Sequence, residues 1–239
     1  MLREAGFAYV ARSSALCPFQ GLLRRAQTTA TDAYLGPDIA GYLRTVRDGI
    51  GEAGSTLHVM TSAGGLVEAG HCRPVDSLLS GPAGGVAGAA AAGRRSGESR
   101  IISFDMGGTT AKASLIRDGQ YETTPEYEVG GGASENRFMN GTGHPIRVPV
   151  IDLAEVSAGG GSIAWTDAEG VLKVGPHSAG ADPGPACYDR GGQAPTITDA
   201  YLAVGIISPD NFLGGEMRLK PQLGKAAIDR VGKRLGFDT

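Results

Sequence analysis

The chain lacks a surplus of positive charge, has few cysteines, and contains no long apolar run. Its net charge is −3, and no basic run is longer than a pair, as at Arg24-Arg25, Arg94-Arg95 and Lys233-Arg234. A nucleic-acid binder shows a basic surplus or stripe, so no nucleic acid is expected as a partner. The three cysteines, Cys17, Cys72 and Cys187, are odd in number and far apart, with no CxxC pair. That argues against a disulfide framework or a zinc knuckle and makes a reducing cytoplasm the simplest home. No stretch reaches the roughly 18 apolar residues of a membrane span. Residues 1–20 carry Arg3, Glu4 and Arg12 and no apolar block, so no signal peptide is expected either. His58, His71, His144 and His177 show no ligand spacing and read as structural or surface residues.

Glycine is in excess. There are 39 in 239 residues, well above the usual ~7%. They fall in clusters: Gly64-Gly65, Gly84-Gly85, Gly107-Gly108, Gly130-Gly131-Gly132, Gly159-Gly160-Gly161 and Gly191-Gly192. Clusters beside apolar strands mean sharp turns and close backbone approach rather than a linker.

Hydrophobic spacing predicts a helical region from Leu22 to about Gly51, broken or kinked at Gly36-Pro37. A short strand follows at Leu57 to Met60. Ser80-Gly81-Pro82 reads as a helix start, with Ser80 or Gly81 at the N-cap, and an Ala-rich helix runs on to about Arg95. Ile101 to Phe104 reads as a buried strand, Ala111 to Ile116 as a second closed by Asp118-Gly119, and Tyr121 to Val129 as a third. A polar loop spans Gly130 to Gly143, and Val148 to Leu153 is another buried strand. Ile163 to Trp165 and Val171 to Val174 form a hairpin. Residues 175–195 read as one long ordered loop. Thr198 to Val204 and Leu223 to Leu235 are helical. The order is mixed α/β, with no regular repeat.

The sharpest chemistry lies in Phe104-Asp105-Met106-Gly107-Gly108-Thr109-Thr110-Ala111-Lys112. A strand delivers the carboxylate of Asp105 to its end, and two glycines turn the chain so that backbone N–H groups point outward, as in an anion-binding nest. Thr109 and Thr110 add hydroxyls and Lys112 a cation. Asp105 suits a hydrated Mg²⁺ or a water nucleophile, because Mg²⁺ favours carboxylates plus phosphate oxygens. A tight hairpin with a capping Asp is the structural alternative. Gly159-Gly160-Gly161-Ser162 is a second candidate loop for phosphate. It is not expected to be a dinucleotide fingerprint, since a hairpin rather than a helix follows it.

The Asp105 turn resembles the phosphate turn of the actin/Hsp70/sugar-kinase superfamily. Further segments occur in one order: Ser80-Gly81-Pro82-Ala83-Gly84-Gly85, Phe104 to Thr109, Ala158 to Ile163, Ser178 to Tyr188, Thr196 to Ala200 and Asn211 to Gly215. From about Arg12 to the end, that series resembles the hydantoinase A/oxoprolinase family, the Ser178–Tyr188 block being the most specific. Thr61 and Ala63 stand where the family usually has Gln and Asn, and Thr110-Ala111-Lys112 replaces a frequent Ser-Thr-Asp.

The resemblance implies an α/β, ribonuclease H-like mixed sheet with flanking helices, part of an incomplete two-lobed nucleotide-binding fold. Residues 1–96 would complete or link to an N-terminal lobe upstream of Met1, which would carry the first phosphate turn. Residues 97–239 would form the lobe with the second. It implies ATP and Mg²⁺ as cofactors, a small cyclic amide as substrate and a hydantoinase B-type subunit or domain as partner. The activity would be ATP-dependent hydrolysis of C–N bonds in cyclic amides such as hydantoins or 5-oxoproline. Ketone carboxylation on the same nucleotide core, and a non-catalytic truncated assembly domain, are the alternatives. The expected site comprises Asp105 as the catalytic and Mg²⁺-organising group, with Gly107, Gly108, Thr109, Thr110, Gly159, Gly160, Gly161 and Ser162 on the phosphates. Further candidates are Ser80 and Gly81 at a helix start, Lys112, His177 for acid/base work, Asp182 for metal and Cys187 as nucleophile or packing residue. Asp199 is expected to cap the helix that follows it.

Overall fold

The computed structural model describes residues 1–50, 55–129 and 143–237. Helices flank several small sheets. The helices are α1 (Ser13–Leu16), α2 (Leu22–Ile50), α3 (Ser80–Ser96), α4 (Ile197–Ala203) and α5 (Pro221–Arg234). The strands are β1 (His58–Met60), β2 (Leu66–Glu68), β3 (Arg100–Met106), β4 (Ala111–Arg117), β5 (Gln120–Tyr121), β6 (Thr123–Thr124), β7 (Tyr127–Val129), β8 (His144–Ile146), β9 (Val150–Ile151), β10 (Ala154–Val156), β11 (Ser162–Thr166) and β12 (Leu172–Ser178). One sheet has the order β10-β4-β3, with β5 on β4; the others are the pairs β1-β2, β6-β9, β7-β8 and β11-β12.

Several expectations change. The helix does not break at Gly36-Pro37, because α2 runs through Pro37 for 29 residues. Proline removes one N–H and crowds one carbonyl, and the buried side of α2 is anchored nearby: Asp32 accepts the Tyr9 hydroxyl at 2.8 Å and the Val75 N–H at 3.1 Å. Helix α3 starts at Ser80, one or two residues earlier than expected, with Leu79 as N-cap and no side-chain cap bond from it. Pro82 therefore sits third, still in the turn whose N–H groups lack helical partners. The 121–129 segment is not one strand. It divides among β5, β6 and β7, which pair with β4, β9 and β8; Pro125, without an N–H, interrupts the ladder. The long loop after residue 174 is shorter than expected, since β12 continues to Ser178 and a 3-10 turn covers Ala186–Tyr188. The Gly130–Gly143 loop, apart from Gly143, lies outside the described residues.

Strand β3 is also not fully buried. Ile101 packs against the cluster of Ala83, Val86, Ala90, Ile116 and Ile151. Ile102 and Phe104 are 70% and 64% exposed. Successive strand side chains alternate faces, and an apolar run alone does not say whether both faces are covered. Strand β11, α4 and α5 fall within two residues of where the sequence places them, and β12 pairs with β11 as a hairpin but runs on to Ser178.

The chain divides into two compact units, residues 1–103 with 113–154 and residues 104–112 with 155–239. In the first, Leu16, Cys17, Val75, Ile146, Val148 and Val150 form a second core cluster. In the second, α4 and α5 pack together and Cys187, Leu202 and Leu219 are the buried centre. Both the Asp105 bend and the Gly159 loop belong to this second unit. Among the described residues no helix is long and apolar enough to cross a membrane.

Candidate phosphate-binding site

Strand β3 ends by presenting Asp105, which is exposed, and the chain turns through Gly107, Gly108, Thr109 and Thr110 into β4. The Gly107 N–H closes the bend on the Thr110 carbonyl at 2.9 Å. The next two N–H groups, of Gly108 and Thr109, meet no acceptor among the described residues, and both residues are exposed.

Their direction is set from behind. The Gly160 N–H donates to the Gly107 carbonyl at 2.9 Å, and the Gly161 N–H to the Gly108 carbonyl at 2.7 Å. In a trans peptide the C=O and the following N–H point in opposite directions. Holding the Gly107 carbonyl against the loop therefore turns the Gly108 N–H away from it, and holding the Gly108 carbonyl does the same for the Thr109 N–H. Two adjacent donors face outward because their carbonyl partners are tied inward. Such a pair is the concave donor geometry that binds anions.

The loop must approach the bend backbone to backbone. A Cβ at Gly159 would lie 2.5 Å from the Thr109 nitrogen and 2.6 Å from the Gly108 carbonyl carbon, so only glycine fits there. The loop's own N–H groups are all engaged: Gly159 donates to Ser162 Oγ at 2.9 Å, Ser162 to the Gly159 carbonyl at 2.9 Å, and Gly160 and Gly161 to the bend. The sequence assigned these donors to phosphate; the structure spends them within the loop and on the Gly107–Thr110 bend. The absence of a dinucleotide fingerprint holds, since β11 rather than a helix follows.

Lys112 stands beside the bend. Its Nζ donates to Thr110 Oγ1 at 3.1 Å and lies 3.3 Å from Glu155 Oε1. Thr110 Oγ1 thus accepts from Lys112 and keeps its own hydrogen to give. Asp105, Gly108, Thr109, Thr110 and Lys112 gather donors, one cation and one carboxylate at one turn, a set that fits a phosphate chain carrying a hydrated divalent cation. Among the described residues no three His, Cys, Asp or Glu side chains converge, so Asp105 offers a single carboxylate, suited to holding such an ion through water.

The remaining candidates are scattered. Ser80 and Gly81 open α3 in the first unit. His177, on β12, and Asp182, in the following loop, are exposed, and neither hydrogen-bonds to the bend among the described residues. Cys187 is fully buried. Burial, and then the neighbouring Asp199, push its thiol up to about 12. A thiol held neutral is a poor nucleophile, which leaves Cys187 a packing residue.

Sequence reasoning passed over Glu155 and Thr198. Thr198 gives both its N–H (2.9 Å) and its hydroxyl (2.8 Å) to the Gly160 carbonyl. Its helix, α4, opens with a capping box: Thr196 accepts the Asp199 N–H, and Asp199 accepts the Thr196 N–H at 2.9 Å. The cap is therefore Thr196 and not Asp199 as expected; Asp199 is the third residue of α4 and closes the box from inside the helix. It also accepts the N–H groups of Ala186 (3.3 Å) and Cys187 (2.8 Å), which fastens the Ser178–Tyr188 block to the helix. The Thr-x-x-Asp spacing was a readable signal for the box; nothing in the spacing shows that Thr198 reaches Gly160.

A profile of the hydantoinase/oxoprolinase family matches residues 25–238. The 5-oxoprolinase of Saccharomyces cerevisiae is 40% identical over 213 residues, covering 88% of this chain and 15% of that protein. The crystal structure of the ATP-dependent caprolactamase from Pseudomonas jessenii superposes with a TM-score of 0.77 at 32% identity, over 100% of this chain and 34% of that one. A nucleotide-free structure of acetone carboxylase, from work on ATP-dependent acetone carboxylation, matches with a TM-score of 0.73 at 27% identity, over 99% of this chain and 32% of that one. The chain thus spans about a third or less of the length of the proteins it matches. With its bend, bracing loop and capped helix in the order the motifs predict, the chain belongs to the hydantoinase/oxoprolinase family.

Proposed function

We propose that this chain forms the phosphate-gripping part of an ATP-dependent enzyme that opens cyclic amides. The observation that carries the reading is the pair of outward N–H groups at Gly108 and Thr109, exposed beside Asp105 and Lys112. Peptide donors fixed before the ligand arrives cost little reorganisation, which is how charge developing on phosphate oxygens is stabilised. The roles follow from chemistry. Gly108 and Thr109 donate through the backbone, Thr109 and Thr110 through hydroxyls, and Lys112 supplies positive charge. Asp105 accepts hydrogen bonds from water, either around Mg²⁺ or on the attacking water itself. Mg²⁺, when bound with the nucleotide, neutralises phosphate charge. Phosphorylating an amide oxygen makes a better leaving group; positioning and charge stabilisation are the protein's main contributions to such a transfer.

The hydrolase reading draws on the likeness to a 5-oxoprolinase and to a caprolactamase. A carboxylase reading has its own support in the acetone carboxylase structure, since both reactions use the same nucleotide core. Further polypeptide, an N-terminal lobe or a B-type subunit, would supply the remaining phosphate contacts and cover apolar side chains such as Ile102 and Phe104, since large apolar side chains left exposed mark contact surfaces.

The test is Asp105→Asn in the intact protein that carries this segment. ATP turnover is expected to fall by about 100-fold or more, the scale set by removing one preorganised group around the reacting charge. Turnover near wild type would remove Asp105 from the mechanism. Assaying the same protein with 5-oxoproline, and with acetone plus bicarbonate, separates hydrolase from carboxylase.

A further inference from the structure

We infer that Thr198 is a positioning residue that sets the donor strength and direction of the Thr109 N–H, acting through two peptide units. The inference rests on the phosphate-binding reading of the bend and adds a residue to it that touches no ligand.

The connection is continuous and lies within one compact unit. The Thr198 N–H and Oγ1 both donate to the Gly160 carbonyl, at 2.9 and 2.8 Å. That carbonyl belongs to the same peptide as the Gly161 N–H, which donates to the Gly108 carbonyl at 2.7 Å. The Gly108 carbonyl in turn shares its peptide with the Thr109 N–H, which meets no acceptor among the described residues. Hydrogen bonds in series polarise one another, each accepted bond on a carbonyl making the N–H of the same peptide a better donor. Two donors converging on the Gly160 carbonyl therefore strengthen the Gly161 N–H, and through it the Thr109 N–H. A parallel row starts from Ser162, whose N–H donates to the Gly159 carbonyl at 2.9 Å, and ends at the Gly108 N–H. That row begins inside the loop. The Thr198 row begins on a helix.

Thr198 can act in this way because it cannot easily move. It is the second residue of α4, whose first N–H groups have no helical partner, so its N–H is available for Gly160. The residue is 6% exposed, and its backbone is held by the Thr196–Asp199 capping box. Asp199 is fully buried and accepts from Ala186, Cys187, Thr196 N–H and Thr196 Oγ1. The glycine it faces is required as well: a Cβ at Gly160 would sit 2.9 Å from Thr198 Oγ1. The most specific sequence block and the α4 start are thus tied to the phosphate turn without contributing a ligand contact.

The test measures binding of Mg²⁺ with a non-hydrolysable ATP analogue to the intact protein by isothermal titration. Thr198→Val removes the hydroxyl donor and keeps the N–H. The dissociation constant is expected to rise roughly three- to tenfold, the range a single hydrogen bond commands. Thr198→Ser, which restores the donor, is expected to return it to within about twofold of wild type. A packing role predicts the reverse order, because Val keeps the shape and Ser loses a methyl. Wild-type affinity in Thr198→Val, or Ser binding no better than Val, overturns the inference while leaving the phosphate site standing. If wild-type protein itself does not bind the analogue, the phosphate-binding reading fails, and the role given to Thr198 fails with it.

Discussion

Two glycine-rich turns in this chain look alike in sequence and dispose their N–H groups in opposite ways. The Gly107–Thr110 bend leaves the N–H groups of Gly108 and Thr109 without an acceptor among the described residues and exposes both. The Gly159–Ser162 loop spends every N–H internally and is largely buried. In the proposed function the first turn receives negative charge, while the second holds the first in place. Glycine serves a different purpose in each: in the loop it permits backbone contact that a Cβ would forbid, whereas at Gly108 a Cβ would meet nothing within 4 Å.

The sharpest way to break this contrast is the same substitution in both turns. Gly159→Ala places a methyl 2.5 Å from the Thr109 nitrogen, against backbone that cannot yield cheaply. ATP turnover of the intact protein is expected to drop by about 100-fold, as when a preorganised donor is displaced, together with a fall in Tm. Gly108→Ala meets no neighbour, so Tm is expected to stay within a degree or two of wild type, as for surface changes away from special features. Any loss there should appear as weaker ATP binding. Equal Tm losses in the two variants would erase the distinction between a brace and a receiver.

A smaller effect is expected from Glu155→Gln. Glu155 lies 3.3 Å from Lys112 Nζ beside the bend, and in the proposed function it would compete with incoming phosphate for that cation. The pair is partly exposed, so its energy is modest, about 1 kcal/mol or less. Removing the carboxylate's charge should therefore tighten ATP binding by up to about fivefold, read as KM for ATP. Lys112→Met should weaken it. Weaker binding in Glu155→Gln would mean that Glu155 holds Lys112 in its working position.

Much of this was legible in the sequence, because local chemistry fixes it. The strand–bend–strand at Asp105 follows from apolar residues meeting paired glycines, the β11-β12 hairpin from the apolar runs either side of Glu169-Gly170, and α4 from its helical spacing, though its Thr196 cap went unread. What stayed hidden depends on partners far along the chain. No local rule shows that Gly160 and Gly161 give their N–H groups to Gly107 and Gly108, about fifty residues earlier, so both glycine turns read as receivers. Apolar character made Ile102 and Phe104 look buried, but burial depends on what covers a face. Pro37 looked like a break because its own lost bond is visible in sequence, while the contacts holding α2 around it, from Tyr9 and Val75 to Asp32, are not.

The central claim is that two outward peptide donors, held by the loop behind them, grip phosphate. A structure of the intact protein with Mg²⁺ and a non-hydrolysable ATP analogue tests it most directly, through the distances from the Gly108 and Thr109 nitrogens to the nearest phosphate oxygen. Both are expected at about 2.7–3.2 Å, with the Gly160 and Gly161 nitrogens still on the bend carbonyls. A phosphate chain seated elsewhere, or one held by the Gly159–Ser162 amides after they release the bend, would contradict the account.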